Sequence, residues 1–144
     1  MPSCYVFDLD GTLANLEHRL HYIEGEKKDW PGFFQACDGD SLIEPIARLW
    51  WDLSPSNRII MSGRSDEVRD KTEAWLKIQN LVPAALYMRK EGDYRADHVV
   101  KAEMMNQAKA DGWEPKLIVD DRRPVVEMWR AHGFTVLHCA EGEY

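Results

Sequence analysis

The 144-residue chain has only three cysteines, Cys4, Cys37 and Cys139, and no CxxC pair. That number and spacing exclude a disulfide framework and an ordinary zinc knuckle, and they suit a reducing cytoplasm. No stretch approaches the ~20 apolar residues of a membrane span. The N-terminal region lacks a basic segment and reaches Asp8 and Asp10 almost at once, so neither export nor membrane anchoring is expected. No GxxxxGK[ST] occurs, so no ATP-dependent activity is implied. Basic residues are also scarce: 18 Lys and Arg face 25 Asp and Glu, a formal charge of −7. Such a balance disfavours a protein that coats nucleic acid non-specifically, because counterion release needs many cationic contacts. A local basic pocket remains compatible with it. Repeats, low-complexity tracts and Pro/Gly/Ser linkers are missing, and residues 1–144 read as one domain. With 44% hydrophobic residues, a chain of this length can form its own core.

Short apolar runs at 4–7, 58–61, 85–88, 117–119 and 135–137 read as strands. Most are continuous rather than alternating, which suits a parallel sheet covered on both faces. Helical periodicity fills the gaps. Ile43, Ile46, Trp50 and Leu53 predict a helix over 43–53, and Val68, Thr72, Trp75 and Ile78 repeat the spacing. A third helix is expected from an Asp97 cap, with Val100, Met104 and Ala108 on one stripe; Pro124 opens a fourth that closes at Gly133. Trp50, Trp75 and Trp129 are expected in the core. Residues 25–39 read as an irregular loop or short insertion. The alternation predicts an α/β fold: a three-layer, doubly wound, Rossmann-like parallel sheet of about five strands, with ligands outside the carboxyl ends of the strands.

The polar residues after those strands carry the chemistry. The first strand opens into Asp8-Leu9-Asp10-Gly11-Thr12, two carboxylates two residues apart. Such a pair suits a nucleophile kept ionised and a group that shuttles a proton to and from the leaving oxygen. The fourth ends in Asp120-Asp121. Four converging carboxylates would repel by about 4 kcal/mol per pair at ~4 Å and an effective dielectric near 20, so a divalent cation is expected. All-oxygen ligands favour Mg²⁺ over zinc. Ser62-Gly63-Arg64 after the second strand, at the start of a helix, reads as an anion site. Lys101 lies in the first turn of its helix, where a cation opposes the macrodipole; a phosphoryl group, with Asp97 fixing the ammonium, would compensate.

In this order, Asp8 to Thr12, Ser62-Gly63-Arg64, Lys101 and Asp120-Asp121 resemble the four motifs of the haloacid dehalogenase (HAD) superfamily of phosphohydrolases. The segments 90–93, 97–101 and 120–130 are more specific and resemble the phosphatase domain of bacteriophage polynucleotide kinase-phosphatase. Segments 37–45 and 141–144 are similar too. The resemblance covers nearly the whole chain. It implies Asp8 as nucleophile, Asp10 as general acid and base, and Lys101 as a third catalytic residue. Arg19, Ser62, Gly63, Arg64, Asp97 and Arg122 would bind substrate. For Mg²⁺ it implies Asp8, the Asp10 carbonyl and Asp121 as direct ligands, with Asp120 behind them. The kinase half of the bifunctional enzyme is missing, and residues 21–35 do not read like the family's.

The function expected is a Mg²⁺-dependent polynucleotide 3′-phosphatase acting on DNA or RNA ends through an aspartyl-phosphate. Alternatives are a phosphatase of mononucleotides or other small esters, and a non-catalytic module that binds nucleic-acid ends. The spacing of the motifs leaves no room for a large cap domain. A cytoplasmic location is expected, the host's if the chain is phage-encoded. Preference for DNA or RNA, action on 2′,3′-cyclic ends, a homo-oligomeric state and a separate kinase or ligase partner are left open. A basic rim of Arg89, Lys90, Arg95, Arg122 and Arg123 is a further candidate, with solvated charge the plainer reading. His18 and His21 read as solvated.

Overall fold

The computed structural model describes residues 2–142 and 144. Five strands form one parallel sheet: β1 (Ser3–Phe7), β4 (Arg58–Ser65), β5 (Leu86–Arg89), β6 (Glu114–Asp120) and β7 (Val136–His138). Their spatial order is β5-β4-β1-β6-β7. The chain winds outward from β1 to β4 and β5, then returns to the other side of β1 for β6 and β7. The order therefore reverses between β1 and β6, where an open α/β sheet binds its ligands.

Side-chain alternation along β1 divides the core. Cys4 and Val6 face α4 (Asp97–Ala110) and α5 (Arg123–Ala131), meeting Met104, Ala108, Val126 and Trp129. Phe7 points the other way, with Ile60 and Val119, against α2 (Glu44–Trp51) and α3 (Arg69–Ile78). Trp50, Trp75 and Trp129 are all buried, as their stripes require. Trp50 sets its ring edge-on to Phe7 at 5.1 Å, and the Arg58 guanidinium lies 5.1 Å from the Trp50 ring centre.

Two sequence expectations need correction. Residues 25–39 are not a plain loop: α1 (Trp30–Gln35) and a 3₁₀ turn (Ala36–Gly39) lie there. Asp29 caps α1 by accepting the Gly32 N–H at 2.9 Å, and Pro31 sits in the first turn. The cap signal is present in Asp29-Trp30-Pro31, but the helix is too short to show periodicity. Asp97 is the first helical residue of α4, not its cap, and Ala96 precedes it without a side-chain cap.

Residues 16–40 form a small lobe over the carboxyl edge of the sheet, begun by a 3₁₀ turn at Glu17–Ile23. Its base is closed by an antiparallel pair of β2 (Ala14–Asn15) and β3 (Ser41–Leu42). Leu16, Phe33, Phe34 and Cys37 give it a separate apolar cluster with Val68. The lobe is far too small to be a cap domain with its own core.

Candidate active site

The register of β1 on β6 pairs Phe7 with Val119 and sets Asp8 beside Asp120. The Asp8 N–H donates to the Val119 carbonyl at 2.9 Å, so the two carboxylates emerge together at the strand ends. Lys101, fully buried on α4, reaches between them. Its ammonium donates to Asp8 Oδ1 at 2.7 Å and to Asp120 Oδ2 at 3.0 Å. The Thr12 hydroxyl lies 3.1 Å from Asp8 Oδ2 and 3.3 Å from Asp121 Oδ1. Gly11 makes this convergence feasible: its φ is +83°, and a Cβ there would collide with the Asp121 carboxylate.

One ammonium faces three buried carboxylates. Burial, reinforced by Asp120, pushes Asp8 well above the ordinary carboxyl range despite Lys101. Burial raises Asp121 as well. Lys101 moves the other way, since Asp120 and Asp8 outweigh the desolvation that would lower it. One oxygen from each of Asp8, Asp120 and Asp121 lies within 4.8 Å of the others. This hard-oxygen, anion-rich donor set fits a divalent cation such as Mg²⁺, which would relieve the repulsion. Asp120 suits an outer position, since Oδ1 accepts the Asp121 N–H at 2.8 Å while Oδ2 accepts from Lys101 and, at 3.3 Å, from Trp129 Nε1. The Asp10 carbonyl accepts the Tyr144 hydroxyl at 2.7 Å.

Asp10 has a contrasting environment. Its Oδ1 accepts from Arg64 at 2.5 Å and from Arg19 at 2.7 Å. Burial would raise its pKa, but the two guanidinium groups outweigh it and hold the carboxyl at about 2. Both arginines also bond Asp40: Arg19 Nε to Oδ1 at 2.8 Å, Arg19 to Oδ2 at 2.7 Å and Arg64 to Oδ2 at 3.3 Å. Asp40 therefore supplies the counter-charge that lets two arginines stay buried beside Asp10. His18 Nε2 lies 2.6 Å from Asp40 Oδ1, so it is tied to this cluster and not simply solvated. Asp40 was missed by sequence reasoning. The signal available was an acidic residue inside the segment 37–45 that carries the resemblance.

The Ser62 to Arg64 arrangement also differs from expectation. β4 continues through Ser65, so these residues lie inside the strand and not at a helix start. Ser62 is fully buried and its Oγ accepts the Arg64 N–H at 3.1 Å. Gly63 does face the cleft, and a Cβ there would approach Asp97 Oδ1 to 2.5 Å. Asp97 does not bond Lys101. It pairs with Arg89, and accepts from Arg122 at 2.6 Å. Burial would raise Asp97, but Lys101, Arg122 and Arg89 together lower it. Of the basic-rim candidates, Arg89, Lys90, Arg95 and Arg122 do line the cleft, with Arg89 nine-tenths buried and Arg95 held by Asp93 and Glu103. Arg122 also donates to the Tyr144 carbonyl at 2.6 Å and lies 5.0 Å from that ring.

Asp8, Asp10, Gly63, Asp97 and Arg122 thus line one cleft of about 440 Å³. Arg19, Arg64, Lys101, Asp120 and Asp121 stand behind it. Trp30 and Phe34 from the lobe form part of its wall, which sequence reasoning did not foresee. The helix that carries Trp30 had been read as a loop.

The family model of the polynucleotide kinase PNKP phosphatase domain matches residues 2–144. A chain from a solved Pnkp1/Rnl/Hen1 complex is 28% identical, with a TM-score of 0.85; the alignment covers 100% of this chain and 48% of that one. A second such structure, a Pnkp1/Rnl/Hen1 RNA repair complex, gives the same identity and TM-score and is covered to 44%. The chain therefore spans about half the length of these relatives. A hydrolase from Streptococcus pneumoniae TIGR4 is 16% identical at a TM-score of 0.60, with 93% of this chain and 90% of that chain covered, and shares the fold. With the family's model matched from residue 2 to residue 144 and the same architecture in these structures, the chain belongs to the PNKP phosphatase-domain family of HAD phosphatases.

Proposed function

We propose that the domain is a Mg²⁺-dependent polynucleotide 3′-phosphatase that works through an aspartyl-phosphate at Asp8. The observation that carries this reading is the Asp8 carboxylate at the β1/β6 switch point, held by Lys101 and Thr12 and facing the same cleft as Asp10. Asp8 attacks phosphorus as the bond to the terminal sugar oxygen breaks, and that oxygen takes a proton from Asp10. Water then attacks the aspartyl-phosphate while Asp10 recovers the proton, releasing phosphate and restoring Asp8. Lys101 stabilises the ionised nucleophile. Bound between the carboxylates, Mg²⁺ would neutralise the negative charge that keeps two anions apart.

Asp10 rests ionised between Arg19 and Arg64, ready to act as a base in the second step. For the first step its proton arrives with the substrate, since the phosphate's charge beside Asp10 raises its proton affinity. Members of the same family in RNA repair complexes support a nucleic-acid end as substrate. A net charge of −7 favours a second reading, a small phosphate ester that needs no extended grip. Phosphate release from matched 3′-phosphate and 5′-phosphate oligonucleotides and a nucleoside 3′-monophosphate separates the two. The 3′-phosphate oligonucleotide should have the highest kcat/KM. A mononucleotide of equal efficiency would replace the polynucleotide reading with the small-ester one.

A further inference from the structure

Aromatic side chains from separate elements line the cleft that holds Asp8 and Asp10. One is Trp30, its indole 6.0 Å from Phe34 and inclined by 31°, and 5.7 Å edge-on from Phe33. That packing, with Phe33 and Phe34 buried, fixes the orientation of a ring that itself stays half-buried at the cleft. A second is Tyr94, 77% exposed, in the turn that leads from β5 to α4. The turn is well held: Arg89 Nη1 donates to the Asp93 carbonyl at 3.0 Å and to the Arg95 carbonyl at 2.6 Å, so both neighbours of Tyr94 are pinned to a buried arginine. The phenol is therefore largely exposed on an ordered backbone. The chemistry of phosphate transfer requires neither ring.

We propose that Trp30 and Tyr94 clamp the nucleobase of the terminal nucleotide, so that a base-bearing leaving group, beyond the phosphoester itself, defines the substrate class. The occupant is fixed by continuity: a phosphoryl group at Asp8 leaves its attached nucleoside in the cleft that Trp30 and Tyr94 also line. Flat π-faces accept any base, so the clamp gives grip without sequence reading. It also answers the shortage of positive charge, since stacking holds a polymer end that an acidic surface holds poorly. This inference rests on the phosphatase reading and deepens it.

The test compares a 3′-phosphate oligonucleotide with the same strand whose terminal nucleotide lacks its base, and a nucleoside 3′-monophosphate with the base-free sugar phosphate. The wild-type protein should prefer the base-bearing member of each pair by about ten-fold in kcat/KM, mainly through KM. Trp30→Ala should abolish most of that ratio, and Trp30→Phe should retain it. Tyr94→Leu, at an exposed position without consequence for folding, should reduce it several-fold. A wild-type ratio near one overturns the clamp. So does a ratio unchanged by Trp30→Ala and Tyr94→Leu, which would mean that any loss of activity in them reflects a disturbed lobe. If the mononucleotide is turned over as well as the oligonucleotide, the polynucleotide reading fails, and the base ratio still decides the clamp.

Discussion

Asp8 and Asp10 lie two residues apart yet differ in charge environment, and each environment comes from a different part of the chain. Asp8 sits among other carboxylates with one lysine; Asp10 sits between two arginines that are themselves balanced by Asp40. Asp10→Asn removes the proton carrier at little cost in volume. It should lower turnover of a sugar ester by 10²-fold or more, while formation of the intermediate from an aryl phosphate, whose phenolate leaves unaided, should suffer much less. Single-turnover release of the leaving alcohol or phenol from the two substrates checks this. Asp97 gives a pH-dependent prediction. Its folded-state pKa lies below the ordinary 3.8, so its ion pairs with Arg89 and Arg122 stabilise the fold above that pH and are lost as pH falls through the lower folded value. Asp97→Asn should cost about 2 kcal/mol near neutral pH. The deficit in melting temperature should close below about pH 4. The four carboxylates were legible in the sequence because each lies at or just past the end of a buried strand. Asp40 was not, because its partners Arg19 and Arg64 lie far along the chain, and the burial of Arg89 was not, because it depends on how the turn through Asp93 and Arg95 folds back onto the guanidinium.

At the level of elements, the helices set the site by holding the sheet from both faces. Trp50 anchors α2 against Phe7, immediately before Asp8. Trp50→Ala should destabilise the domain by about 3–5 kcal/mol, measurable as a lower denaturation midpoint, because the large buried ring leaves a cavity that the sheet can close only in part. The long elements were readable from sequence: α2, α3, α4 and α5 carry clear apolar stripes or a proline start, and the five strands are apolar runs. Their ends were less so. β4 runs on to Ser65 through polar residues that an apolar-run criterion stops short of, which moves Ser62 and Gly63 from the start of a helix into the strand. The lobe escaped because α1, β2 and β3 are too short for any period to register; α1 packs through Phe33 and Phe34 in a separate cluster, while Ala14 and Leu42 pack with the sheet's own core.

For the whole molecule, the doubly wound sheet brings the carboxyl ends of β1 and β6 together, and the small lobe covers the resulting site only in part. Arg19 and Arg64 are buried and bonded to Asp10 and Asp40, and of the basic residues that line the cleft Arg89, Arg95 and Arg122 are paired with acidic side chains, so little free positive charge remains for backbone phosphates. Binding of single-stranded ends should accordingly show a shallow log–log salt slope, no steeper than about −2. Mg²⁺ should raise the melting temperature by relieving the repulsion among Asp8, Asp120 and Asp121, and chelation should reverse the gain. Ca²⁺ should restore activity poorly, because its larger and looser coordination misplaces the nucleophile. The most direct test of the central claim, that Asp8 is the nucleophile of a cation-dependent phosphatase, is steady-state phosphate release from a 3′-phosphorylated oligonucleotide by the wild-type protein and by Asp8→Asn. Mg²⁺-dependent release by the wild-type protein, lost in excess chelator and absent from a folded Asp8→Asn variant, is the predicted result; sustained turnover by that variant, free of contaminating phosphatase and of deamidation, would contradict it.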